Sequence, residues 1–335
     1  MPYFERFENK PERARRDVKQ PWLPFAGLGG PRWRPWGARA LRVASWLLPA
    51  ALLAYLGYRL DQIGWAQIWR ARPAGWTYYA VLGTLFFVQP IADLVVYRNL
   101  WRSPAPLRLS IILRKRLLNA LALEYSGEAY FCAWAMGCLA LPRGVVLHAI
   151  KDSNVLSAAA GLATVVVMVS LLALTAGAAF HALPLDGLWV YGPLVAAPPL
   201  VLLAVIAVAR RHVTVLSARQ LAQTFSLHFA RSLVGEAFQF ALWLLSGAIA
   251  SPAVCLEFVV LKLLISRLPI GVSKDLVFVG TGMAAAQMLN LSTTAVAAVL
   301  TTLTASDYLL NLSVVGLPWL FGSIRAPFRD GGVGT

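Results

Sequence analysis

Residues 117–141 read LLNALALEYSGEAYFCAWAMGCLAL, and how this stretch sits in the chain decides the fold. It is apolar and long enough to cross a membrane, which takes about 20 residues of helix. Yet Asn119, Glu124 and Glu128 interrupt it, and Gly127 lies near its centre. The segment before it, 98–116, carries six Lys or Arg, and the segment after it, 142–153, carries Arg143 and Lys151. Short basic loops stay on the cytoplasmic face. Both flanks are therefore expected inside. A single span cannot start and finish on one face, so 117–141 is expected to be a re-entrant hairpin or two half-helices, breaking near Tyr125-Ser126-Gly127.

Outward from this segment, apolar runs cover about 41–59, 75–97, 154–180, 188–209, 224–250 and 293–316, with Pro90 an expected kink in the second. The loop 181–187 has no Lys or Arg and is expected outside. The run 253–289 is broken by Pro269 and Gly271 and makes a second interrupted pair. Asp61 to Arg72 is too short to span. Its Trp65, Ile68 and Trp69 share a helical face, so it is expected to lie on the membrane surface. The expected fold is an all-α polytopic integral membrane protein of about eight membrane elements, two of them broken or re-entrant pairs. A basic cytoplasmic tail occupies 1–40, the transmembrane domain 41–320, and a short cytoplasmic tail 321–335.

Composition agrees with this class. The chain of 335 residues is 59% hydrophobic and only 13% charged, against about 45–50% and 25% for soluble domains. Its formal charge is +15. In a soluble protein that excess would suggest nucleic acid. Here the cations lie mostly between apolar runs, so the expected partners are membrane lipids with anionic or zwitterionic headgroups, and no nucleic acid. The first 42 residues hold ten basic and four acidic residues, too long and mixed a stretch for a signal peptide's n-region. Cys132, Cys138 and Cys255 lie in apolar runs without a CxxC, which reads as inert thiols. No Cys/His cluster suggests a metal, no Walker A sequence suggests a nucleotide, and no cofactor is expected.

Ionisable residues within membrane runs cost about 2.5–3.5 kcal/mol each on insertion scales, so they usually face a cavity or a partner. Glu124 and Glu128 are one helical turn apart, with Arg116 roughly 80° round from Glu124. Two such carboxylates cannot both ionise cheaply in a low dielectric. They are read as a proton-coupling site or headgroup contact, or as carboxylates held by Arg116 or a serine. In the run 224–250, Ser232, Glu236 and Gln239 form a polar stripe, with His228 and Arg231 beside it. Gly127-Glu128-Ala129-Tyr130 is echoed by Gly235-Glu236-Ala237-Phe238, which marks either equivalent positions of two inverted repeats or a chance match. Around the second break, Arg267, Lys274 and Asp275 suit either a phosphate at a helix N-terminus or an ordinary turn. Glu257 and Lys262 are five residues apart and not each other's partners. Asp93 and Asp307 sit near run ends and are expected to be solvated or capping. Asn290 and Asn311 match the glycosylation pattern, which is read as chance.

Asn119 with Gly127-Glu128 after a basic loop, and Pro269-x-Gly271 with Lys274-Asp275 before the last spans, resemble the lysylphosphatidylglycerol synthase transmembrane (flippase-like) family. The resemblance covers about 41–320. The family's Gly-Gly-Leu-Gly-Val-Arg-Glu stands here as Pro-Ile-Gly-Val-Ser-Lys-Asp, and Tyr130 and Phe131 follow Gly-Glu where the family has an arginine. The resemblance implies a stand-alone member without the synthase domain, in a bacterial inner membrane, moving a phospholipid or a polyisoprenoid or hopanoid-type lipid between leaflets. Arg116, Arg231, Lys262 and Arg267 would attract its phosphate. Glu128 and Glu236 would bind a cationic headgroup or carry a proton. An integral-membrane enzyme and a scaffold for a lipid-modifying synthase are the alternatives, and a second copy of the chain is a further expected partner.

Overall fold

The computed structural model describes residues 60–101, 107–121, 126–139, 141–175, 214–267 and 274–320, with 54, 57, 58, 200, 201, 204 and 208 as single residues. Both tails, most of the expected runs 41–59 and 188–209, and Glu124 lie outside the described residues. All regular structure among the described residues is helical: α1 Trp65–Arg70, α2 Trp76–Trp101, α3 Leu109–Leu121, α4 Ser126–Cys138, α5 Arg143–Thr175, α6 Ala218–Ser246, α7 Pro252–Arg267, α8 Lys274–Met288 and α9 Thr293–Leu310. A π-helical turn, Asn311–Gly316, continues α9.

Three of these helices are long and apolar enough to cross a membrane: Trp76–Trp101, Arg143–Thr175 and Thr293–Gly316. Helix α6 has 29 residues but carries Arg219, Arg231 and Glu236. Its start is set by Ser217, which makes a reciprocal capping box with Gln220. Its end is set by Gly247, whose φ of 65° suits a residue without a side chain. Helix α2 continues past Pro90 as one element. In α1, Ile68 is buried while Trp65 and Trp69 are exposed, so the short helix anchors on one residue and turns its indoles outward.

The helices α2, α5 and α6 form the centre, and their side-chain pairs give their directions. Asp152 meets Thr214 and Val215, Ser153 meets His228, and Ser157 meets Arg231, so α5 and α6 run the same way. One apolar core gathers the C-terminal half of α2, α3, α4 and the N-terminal half of α5, where Tyr97, Trp101, Phe131 and Trp134 pack ring on ring. A second gathers the other halves of α2 and α5 with the C-terminal half of α6, α7, α8 and α9, around Trp243 against Phe258. Between the two cores, the three long helices share a polar waist.

Two helix pairs approach this waist from opposite ends. In the first, contacts step in opposite directions along α3 and α4: Leu118 with Ser126, Lys115 with Glu128, Arg114 with Tyr130. The helices are antiparallel and 13 residues each, about 20 Å at 1.5 Å per residue. That is well short of the roughly 30 Å hydrocarbon core. Their facing ends are held close. Asn119 Oδ1 accepts the Gly127 N–H at 2.7 Å, and the Ser126 hydroxyl donates to the Leu118 carbonyl at 2.8 Å. In the second pair, α7 (16 residues) ends at Arg267 and α8 (15 residues) begins at Lys274. Arg267 reaches Gly161, midway along α5.

Two expectations are overturned. The basic segment 98–116 is not one solvated loop, because Arg114, Lys115 and Arg116 lie on α3, the first two buried. The segment 142–153 is no loop either, because α5 begins at Arg143. Its Asp152 is buried, accepting from the Thr214 hydroxyl at 2.9 Å and the Val215 N–H at 3.1 Å. The two glycines of the Gly-Glu echo, Gly127 and Gly235, have different surroundings. A Cβ on Gly127 would strike the Lys115 carbonyl, whereas one on Gly235 would meet nothing within 4 Å.

Candidate functional site

The waist holds a row of alternating charge built from four helices. Asp93 on α2 lies 3.3 Å from Lys115 on α3 and 3.7 Å from Arg231 on α6. Lys115 also lies 3.4 Å from Glu128 on α4. The order is Glu128, Lys115, Asp93, Arg231. The Lys115 ammonium further faces the rings of Tyr97 and Phe131 at 5.3 and 5.7 Å. Arg231 donates to the Ser157 hydroxyl at 2.9 Å, and Ser153 and His228 pair at 3.1 Å alongside. Successive residues point about 100° apart on a helix. Arg114, Lys115 and Arg116 therefore serve three directions: Tyr130, the waist and α9.

Asp93 is thus neither solvated nor capping, whereas Asp307 pairs with Arg116 while its side chain stays 42% exposed. Asp93 is 6% exposed and holds two cations. Asp307 accepts from Arg116 at 2.6 Å and from the Asn311 amide at 3.0 Å. Asn311 is itself buried in the π turn, so its glycosylation match has no exposed acceptor. Glu128 takes Lys115 as its partner, where the sequence had offered Arg116 or a serine.

Beside this row lies a cavity of about 370 Å³. Arg116, Arg231, Lys262 and Arg267 line it, with Glu236, Asp275 and Asp307 as its acids and Ser232 and Gln239 as its neutral polar groups. Helices α2, α3, α6, α7, α8 and α9 each contribute to it. The four cations are not equivalent. Arg116 is tied to Asp307 and lies over Phe86 at 4.4 Å. Arg231 is shared with Asp93 and Ser157. Lys262 has the Phe278 ring at 5.7 Å, and among the described residues neither it nor Arg267 has a carboxylate within 4.0 Å. The Gln239 side-chain oxygen is buried with no hydrogen-bond partner. Two cations lining a cavity with no carboxylate within 4.0 Å make a ready site for an anion.

Of the residues singled out in the sequence, Arg116, Arg231, Glu236, Gln239, Lys262, Arg267 and Asp275 meet around this cavity. Asn119 and Glu128 do not line it: the first joins α3 to α4 and the second closes the charge row. Glu257 and Lys274 lie outside the lining. Lys115 was hidden in what read as a loop. Its signal was there, since Arg114-Lys115-Arg116 is flanked on both sides by aliphatic residues, as in a helix that carries charge inward.

Gly161 gives a direct handle on the site. Its missing side chain leaves the space that the Arg267 guanidinium fills. Gly161→Leu is expected to push Arg267 out of the cavity and to lower anion affinity, with wild-type affinity for inorganic phosphate as the contrary result. The described residues contain no group of three or more His, Cys, Asp or Glu side chains placed to hold a metal. No protein-family model, curated protein or solved structure matches the chain.

Proposed function

We propose that the chain moves a lipid between membrane leaflets, holding the phosphate of the headgroup in the charged cavity while the tails face the bilayer. The observation that carries this reading is the placement of Lys262 and Arg267. Both line the cavity together with Glu236, and among the described residues neither has a carboxylate within 4.0 Å. A buried ion-pair network with no cavity would have favoured a scaffold. The opposed pairs α3–α4 and α7–α8 support the reading as well. Half-depth helices that meet at a charged midplane suit transporter sites, where irregular backbone lines a cavity. On this reading both pairs are re-entrant, the protein sits in a bacterial inner membrane with cytoplasmic termini, and the resemblance to the flippase-like family is one of kinship.

The test is lipid translocation in proteoliposomes loaded with head-labelled phospholipids, followed by bleaching of the outer leaflet. Wild-type protein is expected to expose inner-leaflet label. Lys262→Gln with Arg267→Gln is expected to slow this at least roughly tenfold, since each charged hydrogen bond contributes about 1.5–3 kcal/mol. No protein-dependent bleaching of any lipid, with or without a pH gradient, would sink the transport reading.

A further inference from the structure

A second cleft, of about 380 Å³, opens between α5, α6 and α7. It differs in kind from the first. Met168, Leu233, Phe240 and Leu256 shape its walls, and only Thr175 and Glu236 among its lining residues carry polar side chains. The Thr175 hydroxyl is already spent on the Leu171 carbonyl at 2.9 Å. Glu236 is common to both linings.

Helix geometry explains the sharing. At about 100° per residue, Ser232, Gly235 and Gln239 make one face of α6, and Leu233, Ala237 and Phe240 make the adjoining one. Glu236 falls on the boundary. One side of α6 therefore presents cations and the next presents hydrocarbon, with a carboxyl group at the edge. That arrangement matches an amphiphile: charge, then a polar linkage, then a chain. Each cleft lies within the range of about 300–1,000 Å³ usual for ligand sites.

We propose that the two clefts form one site for a phosphate-bearing lipid, the headgroup lying against Lys262 and Arg267 and one hydrocarbon chain lying in the cleft between α5, α6 and α7. The proposal rests on the lipid-handling reading and narrows it. A tail held against protein is discriminated by length and shape, which a tail left in the bilayer is not. Glu236 meets the linkage between the two parts.

The experiment uses the full chain in bilayer nanodiscs. Phosphatidic acid carrying a diazirine in mid-chain is compared with diacylglycerol carrying the same chain, and the labelled residues are mapped by mass spectrometry. Phosphatidic acid is expected to label Met168, Phe240 or Leu256 at least roughly tenfold over diacylglycerol, as one charged hydrogen bond would give. Exposed Leu174 and Leu309 serve as the measure of ordinary bilayer contact. In Lys262→Gln with Arg267→Gln the ratio is expected to fall to that of the bilayer residues. Ala253→Phe fills the cleft without touching either cation, and is expected to abolish the labelling and slow translocation of phosphatidic acid. Equal labelling by both lipids in the wild type would overturn the tail site, as would wild-type translocation by Ala253→Phe. Phosphate-dependent labelling without any translocation would overturn the transport reading and leave the tail site standing.

Discussion

Asp93→Ala is expected to cost about 3 kcal/mol of stability, the lower end of the 3–5 kcal/mol range for removing one partner of a buried ion pair. The lower end applies because neither cation is left wholly alone. Lys115 keeps Glu128, and Arg231 keeps Ser157. The loss remains large because one carboxylate joins three helices: α2 to α3 through Lys115 and α2 to α6 through Arg231. Asp93→Asn keeps the shape and one acceptor oxygen, so it is expected to fall between wild type and alanine. The measurement is unfolding in mixed micelles titrated with a denaturing detergent, followed by circular dichroism. A loss below about 1 kcal/mol would place Asp93 with surface pairs, which typically contribute that little.

Gly127→Ala is expected to cost about 3 kcal/mol by a different route. The added methyl group would strike the Lys115 carbonyl and lie 2.7 Å from the Asn119 side-chain oxygen. A backbone carbonyl has no rotamer through which to escape. The two helices must separate, which adds the loss of the Asn119 bond, about 1 kcal/mol, to an overpacking cost of about 1–3 kcal/mol. Gly235→Ala makes the matched comparison, because a Cβ there meets nothing within 4 Å. It is expected to be neutral or to stabilise by up to about 1 kcal/mol, since alanine is the better helix residue. Equal melting temperatures for the two variants would contradict the described packing of α3 on α4.

The sequence made some of this legible and hid the rest for identifiable reasons. The break in 117–141 was readable because Ser126-Gly127 acts locally on the backbone, while the break expected at Pro269 and Gly271 lies outside the described residues. Helix α4 begins at Ser126, α7 ends at Arg267 and α8 begins at Lys274. Arg231 and Lys262 were readable because charge inside an apolar run is costly wherever it sits. Partners were not readable, because pairing depends on helix rotation and depth. Asp93 appeared to end a run that in fact continues to Trp101. Lys115 looked like a topogenic loop charge, since hydropathy counts residues and not the faces they occupy. Gly127-Glu128 and Gly235-Glu236 share letters and differ in surroundings, since a sequence match says nothing of what stands opposite.

The bond between Arg116 and Asp307 spans 191 residues of sequence, whereas Lys115 and Asp93 are separated by 22. During synthesis at about 5–20 residues per second, Lys115 follows Asp93 within roughly 1–4 s, and Asp307 follows Arg116 only after roughly 10–40 s. The charged waist and the cavity beside it therefore assemble in two instalments. Lys115 and Asp93 neutralise each other almost as they are made, while Arg116 must wait, unpaired by Asp307, until α9 emerges. A nascent chain arrested before residue 307 carries that open charge, which makes biogenesis of this protein dependent on whatever water, lipid phosphate or insertase surface shields an arginine in the meantime.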